Sequence, residues 1–506
     1  MKSTSILSLG TLSSRILGFF RDIVLAKVFG TGISADAFFV AFKIPNLFRD
    51  MVGEGATNAA VVPVFSEYLE KNNKEQLWNF VSVVFTLALI VLSAITILGI
   101  LLAPAIVRMI APGFIINPQK LILTIRLTRM MFPYLVFIGL TAYSIGVLFT
   151  FRLFRVPAFS PCLLNISIIT SAFIASRTME EPVFGLAVGV LIGGVLQFVV
   201  QIRPLLKTGI RYRIPKTLYH PGAVKIGKLL IPRMLGSGVY QLTVLIDTFC
   251  ASLSVIVGVG GISAVYFANR IIQFPMGVFC TSLASAVLPT LSSFAAKNDL
   301  ESIKKTVVFS LKNVFFVMCP ITVVLLRLST PIIQILFQRG KFDLYSTQIT
   351  SFALSFYAIG LFSFGGIKIL VAAFHSLQDT KTPVKVSALC LAINAALNFI
   401  LMVPLKIGGI ALASSIAGTV DFLILFYILD KRLKGLNSGM LIYFIKVSLA
   451  AAATGVAIYW FWNQPTMIHP IVKLGLVGIG GFIIYETICL ALNVEQAQKI
   501  RDYFKK

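Results

Sequence analysis

Two arginines and an aspartate, Arg15, Arg21 and Asp22, interrupt the first apolar run of the chain, SSRILGFFRDIVLAKVFG. A charge near the centre of a bilayer costs about 2.5–3.5 kcal/mol on insertion scales, so such residues must either pair or line a polar cavity. On a helix Ser8, Arg15, Asp22 and Ala26 fall within about 20° of one line, while Phe19, Phe20, Ile23 and Val24 point elsewhere. The next run, DAFFVAFKIPNLFRDMVGEG, repeats the pattern: Asp36, Lys43, Asn46, Asp50 and Glu54 share a face, with Arg49 at its edge. Once Arg270 is added, the arginines exceed what the acids on these faces can neutralise. Excess guanidinium in a cavity asks for an anion, and phosphate matches its bidentate fork. The competing reading is a set of interhelical salt bridges or of side chains snorkelling at helix ends.

A second constellation is electrically opposite. Asp247, in QLTVLIDTFC, has apolar sequence on both sides; Asn394 and Asn398 stand one helical turn apart, and Ser414 follows in GIALASSIAG. Together they offer an all-oxygen site for a small hard cation or a proton. The alternative is an aspartate satisfied by neighbouring amides.

These residues need long apolar elements to position them, and the composition supplies them. Of 506 residues 57% are hydrophobic and 12% charged, with mean hydropathy +0.92, whereas soluble domains average about 25% charged. Runs of membrane-spanning length recur from end to end. They predict an all-α polytopic membrane protein with fourteen spans, near 4–29, 33–66, 78–110, 121–150, 157–176, 183–202, 229–256, 263–294, 306–337, 345–376, 384–403, 408–429, 438–461 and 471–493. Pro45, Pro104, Pro133, Pro232 and Pro275 mark kink sites. One alternate set of loops, with both termini, carries 24 Lys and Arg; the other set carries five, Lys120, Arg177, Arg339, Lys341 and Lys406. That asymmetry predicts cytoplasmic termini.

The sequence also repeats. PVFSEYLEKN from Pro63 matches PTLSSFAAKN from Pro289, and RVP at Arg155 matches KTP at Lys381, both at an interval of 226 residues. VAFKIPN from Val40 likewise faces FANRIIQ from Phe267. The expected organisation is a six-helix lobe over 1–206, a basic cytoplasmic linker over 207–228, a second six-helix lobe over 229–432 in parallel repeat, and two last helices with a tail over 433–506. Parallel repeats of this kind are a transporter architecture with the substrate site at their interface.

Other chemistries find little support. The net charge of +25 is accounted for by the positive loops and does not call for nucleic acid. Six isolated cysteines lie in apolar runs and three histidines are widely separated, so neither a disulfide framework nor a metal triad is visible. There is no Gly-rich loop followed by Lys-Ser/Thr for a nucleotide, no DxD, and no room in the loops for a catalytic domain. An enzyme acting on a lipid-linked sugar would need paired carboxylates or a metal. A structural scaffold would not need buried arginines.

SRILGFFRD, DAFFVAFKIPNLFRDMVGEGA, YFANRIIQFPMGV, LFQRGKF and LQDTKTPVK together resemble the MviN/MurJ family of the multidrug/oligosaccharidyl-lipid/polysaccharide exporter superfamily, over essentially the whole chain. The resemblance implies a non-enzymatic flippase of the bacterial inner membrane, monomeric and surrounded by membrane lipids. It would carry lipid II, the undecaprenyl-diphosphate-linked disaccharide-pentapeptide of peptidoglycan synthesis, through a central cationic cavity, with a lipid-facing groove from the last two helices. It assigns the headgroup to Arg15, Arg21, Asp36, Arg49 and Arg270. It assigns a sodium ion to Asp247, Asn394, Asn398, the carbonyl of Ile410, and Ser414. Gln273 and Asn398 stand where the family can carry acids, which leaves Asp247 the only carboxylate of the sodium set. Exporters of another polyprenyl-linked saccharide, or cation-coupled multidrug exporters, are the alternatives.

Overall fold

The structure is a computed structural model that describes residues 2–52, 56–71, 74–436, 439–465 and 467–504. Regular structure among the described residues is helical throughout. The chain forms two compact units. One comprises the residues up to Val255 together with Arg339–Phe342; the other comprises Ile256–Gln338 and the residues from Asp343 onward.

The first unit holds α1 (Lys2–Phe29), α2 (Ile33–Val52), α3 (Ala56–Lys71), α4 (Lys74–Ile110), α5 (Pro118–Met131), α6 (Tyr134–Thr150), α7 (Arg155–Thr178), α8 (Pro182–Lys207) and α9 (Pro221–Ser252). Proline opens α5, α8 and α9, where its missing N–H costs nothing and its fixed φ favours a helix. Asn117 caps α5 by accepting from the Lys120 N–H, and His220 caps α9 by accepting from the Gly222 N–H. Helix α7 packs between α1 and α8, and α2 lies along α5. A core of Val61, Val64, Phe65, Phe80 and Val147 joins α3, α4 and α6, and the Tyr143 hydroxyl donates to the Val81 carbonyl at 2.7 Å.

At the end of α1 the backbone of Arg339–Phe342 approaches very closely. The Lys341 N–H donates to the Lys27 carbonyl at 2.9 Å. Gly30 and Gly340 have φ of +62° and +60°, and a Cβ on either would stand 2.2 or 2.3 Å from a backbone carbonyl oxygen of Lys341 or Lys27. Glycine is required at both positions by conformation and by space.

The second unit continues with α10 (Ser254–Val257), which begins at the boundary, then α11 (Gly261–Pro275), α12 (Thr281–Ala296), α13 (Leu300–Phe337), α14 (Leu344–Ile359), α15 (Leu361–Ser376), α16 (Lys381–Leu405), α17 (Ile407–Leu433), α18 (Met440–Asn463), α19 (Pro470–Ala491) and α20 (Glu495–Phe504). Helix α13 is its hub, packing on α14, α15, α18 and α19. The Tyr443 and Tyr485 hydroxyls donate to the α13 carbonyls of Lys312 and Phe316, and Lys312 pairs with Glu495 of α20 at 2.9 Å. The starts of α4, α5 and α7, at Lys74, Pro118 and Arg155, recur at Leu300, Leu344 and Lys381 for α13, α14 and α16, each 226 residues later.

Among the described residues ten helical segments are long and apolar enough to cross a membrane, or eleven when α14 and α15, bent by 46° at Gly360, count as one span. Leu101, Met109, Ile400 and Leu441 are among many large apolar side chains left exposed. On an apolar span such exposure is the face that meets lipid. Pro133 separates α5 from α6, and Pro275 ends α11 at a π-helical turn, Met276–Cys280, while Pro45 and Pro104 stay inside α2 and α4. Two bends carry no sequence expectation: Gly360, and Leu328 within α13, whose φ/ψ of −115°/19° departs from helix three residues before Pro331. The six cysteines are free and buried.

Candidate functional site

The charged faces of α1 and α2 resolve into groups with different roles. Arg15 is exposed on α1 and forms no ion pair among the described residues. Arg21, two turns further on, is 7% exposed and Asp22 fully buried. The Arg21 guanidinium donates through Nε and Nη2 to Asp22 Oδ1 at 3.0 and 2.7 Å, and through Nη1 to Asn165 Oδ1 of α7 at 3.1 Å. Asn165 returns an Nδ2 hydrogen bond to the Ser14 carbonyl at 3.1 Å. Arg21 therefore clamps α1 to α7.

Asp36 is also committed. Its Oδ2 accepts from Lys120 Nζ at 2.7 Å, with the residues 1% and 5% exposed, and the same ammonium lies 4.1 Å from the centre of the Phe114 ring. Lys120, counted from sequence as an outer-loop cation, is thus buried inside the first unit. A signal for it existed. The α1–α2 turn and the start of α5 both follow odd-numbered spans, so Asp36 and Lys120 lie at the same end of the helical layer. Lys43, about two turns further along α2, reaches α9, where its Nζ donates to Thr248 Oγ1 at 2.5 Å. Arg49 is half-buried; the Asp50 side chain and Glu54 fall outside the described residues.

In the second unit Arg270 is half-buried on α11, and its Nη1 donates to Gln273 Oε1 at 3.4 Å, which in turn bonds Asn269 through Nε2 at 3.2 Å. On α16 and α17 the expected oxygen donors come together: Asn394 Nδ2 donates to Ser414 Oγ at 3.3 Å, and Asn398 Nδ2 to Asn394 Oδ1 at 3.1 Å. Ile410 is fully buried on α17. Asp247 lies on α9 in the first unit, and Asn394, Asn398, Ile410 and Ser414 lie in the second.

The pattern of the family described as Lipid II flippase MurJ matches residues 25–470. A probable lipid II flippase MurJ of Buchnera aphidicola is 34% identical over 505 residues, 98% of either chain. The chain belongs to the MurJ family. The lipid II flippase MurJ of Burkholderia cenocepacia is 33% identical, covering 89% of this chain and 88% of its own. Among solved structures, a lipid II flippase MurJ in an inward closed conformation superposes with TM-score 0.81 at 29% identity, over 95% and 98% of the two chains. An inward-facing multidrug resistance MATE family transporter of the MOP superfamily shares the fold at TM-score 0.70, with 15% identity over 84% and 96%. Within this family fold the residues that sequence reasoning missed are partners: Asn165 for Arg21, Lys120 for Asp36, and Thr248 for Lys43.

Proposed function

We propose that this chain moves lipid II from the inner to the outer leaflet of the bacterial cytoplasmic membrane by alternating access, as a monomeric transporter and not an enzyme. Arg15, Arg49 and Arg270 are the headgroup ligands. Arg21 and Asp36 act through their buried partners and position the charged faces of α1 and α2. The observation that carries this division is the contrast on α1: Arg21 is spent on Asp22 and Asn165, while Arg15 is exposed with its fork available to a diphosphate.

The proposal takes α1, α2 with α3, and α9 as membrane crossings beyond those that pass on apolarity alone. This gives fourteen helices in two six-helix lobes plus α18 and α19, with both termini cytoplasmic. In support, these are the segments whose charges depress their hydropathy, and counting them places 24 Lys and Arg in one set of loops against four in the other, Lys120 being buried.

The test is complementation of a flippase-depleted bacterium. Arg15→Ala, Arg49→Ala and Arg270→Ala are expected to accumulate in the membrane without supporting growth, with Lys rescuing poorly because it lacks the planar fork. Arg21→Ala is expected to lose protein abundance instead. Full growth of the first three variants at normal abundance would refute the assignment.

A further inference from the structure

Helices α16 and α17 bury an acid that neither the headgroup ligands nor the expected cation donors use. Asp421 of α17 is 8% exposed. Its Oδ2 accepts from the Ser387 hydroxyl of α16 at 3.3 Å, and its buried Oδ1 has no hydrogen-bond partner. The contact follows from the register of the two antiparallel helices. The alignment that brings Asn394 to Ser414 at 3.3 Å sets Ser387 against Asp421 two turns further along both. The acid thus ends a seam of small polar side chains that lies wholly within the second unit. We propose that Asp421 is a proton-binding site, and that it holds its proton as a neutral carboxyl when α16 and α17 are packed in this way.

A buried carboxylate needs a cation or several good donors to remain charged. Asp421 has one hydroxyl, at the long end of hydrogen-bond distance, and forms no ion pair among the described residues. The surrounding elements account for their charges elsewhere. On α16, Lys381 and Lys385 are exposed, and Cys390 is buried one turn from Ser387. Helix α15 meets α17 through Ser363 and Thr419, and its Lys368 is exposed. Helix α14 brings Tyr357 to the level of Ser415. Arg270 of α11 donates to Gln273, and Lys312 of α13 pairs with Glu495. On α17 itself the nearest charge is Asp430, about 13 Å further along the axis. A single proton removes the cost of a stranded charge, and the Ser387 hydroxyl serves the oxygen of a neutral carboxyl as well as that of a carboxylate. Parting of α16 from α17 brings water to the group, where an aspartate ionises at neutral pH, so the seam releases a proton when it opens. None of this depends on which arginines hold the headgroup.

The experiment is infrared difference spectroscopy of the purified full-length chain at neutral pH, native minus Asp421→Asn, which cancels every other acid. The carbonyl stretch of one neutral carboxyl is expected. It should move to higher frequency in Ser387→Ala, which takes away its hydrogen bond. It should give way to carboxylate stretches when the native chain is unfolded by heat. Carboxylate stretches in the folded difference spectrum, with no neutral band, would overturn the proposal. So would a neutral band that ignores both Ser387→Ala and unfolding. If Asp421→Asn does not accumulate, native minus Ser387→Ala reads the same acid. A shifted neutral-carboxyl band there supports the proposal, and the lack of one overturns it. The readout is the protonation of one side chain, so a failure here leaves the lipid II reading standing, and the reverse also holds.

Discussion

In the first unit two ion pairs are buried among the described residues, Arg21 with Asp22 and Lys120 with Asp36. In the second, buried contacts join neutral hydroxyls and carbonyls. Ser363 meets Thr419 at 3.1 Å, Ser355 donates to Ser329 at 2.9 Å, and the Ser415 hydroxyl donates to the Phe356 carbonyl at 2.7 Å. Carboxylates are buried there too: Asp421 Oδ2 accepts from the Ser387 hydroxyl at 3.3 Å, and both Glu486 carboxylate oxygens are buried. The difference is one of consequence as well as chemistry. A buried charge that loses its partner is stranded, whereas a hydroxyl can exchange one acceptor for another. Helices α2 and α5 are therefore tied by an ion pair, and α1 is tied to α7 by the Arg21 guanidinium on the Asn165 amide. Helices α13, α14, α15 and α17 are joined by hydrogen bonds that can exchange partners.

The sharpest way to break this contrast is to remove one partner from each kind. Lys120→Met strands Asp36 and is expected to cost about 3–5 kcal/mol, with more than half of it recovered by adding Asp36→Asn. Ser363→Ala leaves Thr419 bonded to the Ser415 carbonyl and is expected to cost only about 0.5–1.5 kcal/mol. Denaturation monitored in detergent measures both. Equal losses would abolish the distinction between the two units.

A smaller effect separates the units by pH. His220 stacks on Phe80 with ring centres 4.8 Å apart and caps α9 through Nδ1. Burial pushes its imidazole below the ordinary histidine value. In the second unit, hydrogen bonds from the Thr382 backbone and hydroxyl, with help from Arg432, hold Asp379 below the ordinary carboxylate value. Both groups are depressed in the folded state, so each contributes stability that is present above its unfolded pKa and lost as pH falls through its folded one. The histidine window lies nearer neutrality. On acidification, amide exchange in 221–226 should therefore quicken before exchange in 381–386. The cap itself is worth about 1 kcal/mol, so the change is local. The opposite order would contradict the assignment of these contacts.

Much of this was legible in the residues. Ten or eleven of the expected spans follow from apolar length, and the breaks at Pro133 and Pro275 from proline chemistry. The bend at Gly360 was not, because no proline stands there, whereas the one at Leu328 had a signal in Pro331, whose ring and missing N–H disturb the preceding turn. The polar faces of α1 and α2 were visible as periodicity, but their division was not. Asn165 is a lone amide 144 residues from Arg21, and no spacing rule connects the two. Lys120 was hidden by its place at a helix start, where a cation reads as solvated. That Lys43 of α2 reaches Thr248 of α9 was hidden too, because sequence alone does not place the two helices side by side.

The central claim, that this chain carries lipid II outward, is tested most directly in vesicles containing the purified protein and lipid II, with an imposed membrane potential. The sequence holds no nucleotide-binding loop, and the substrate diphosphate is anionic. A compartment that is positive on the far side favours its passage by about 2.3 kcal/mol per charge per 100 mV. The account predicts that lipid II appears in the far leaflet when that side is positive, and that Arg15→Ala stops it. Absence of transfer at any potential, or transfer that persists in Arg15→Ala, would contradict it.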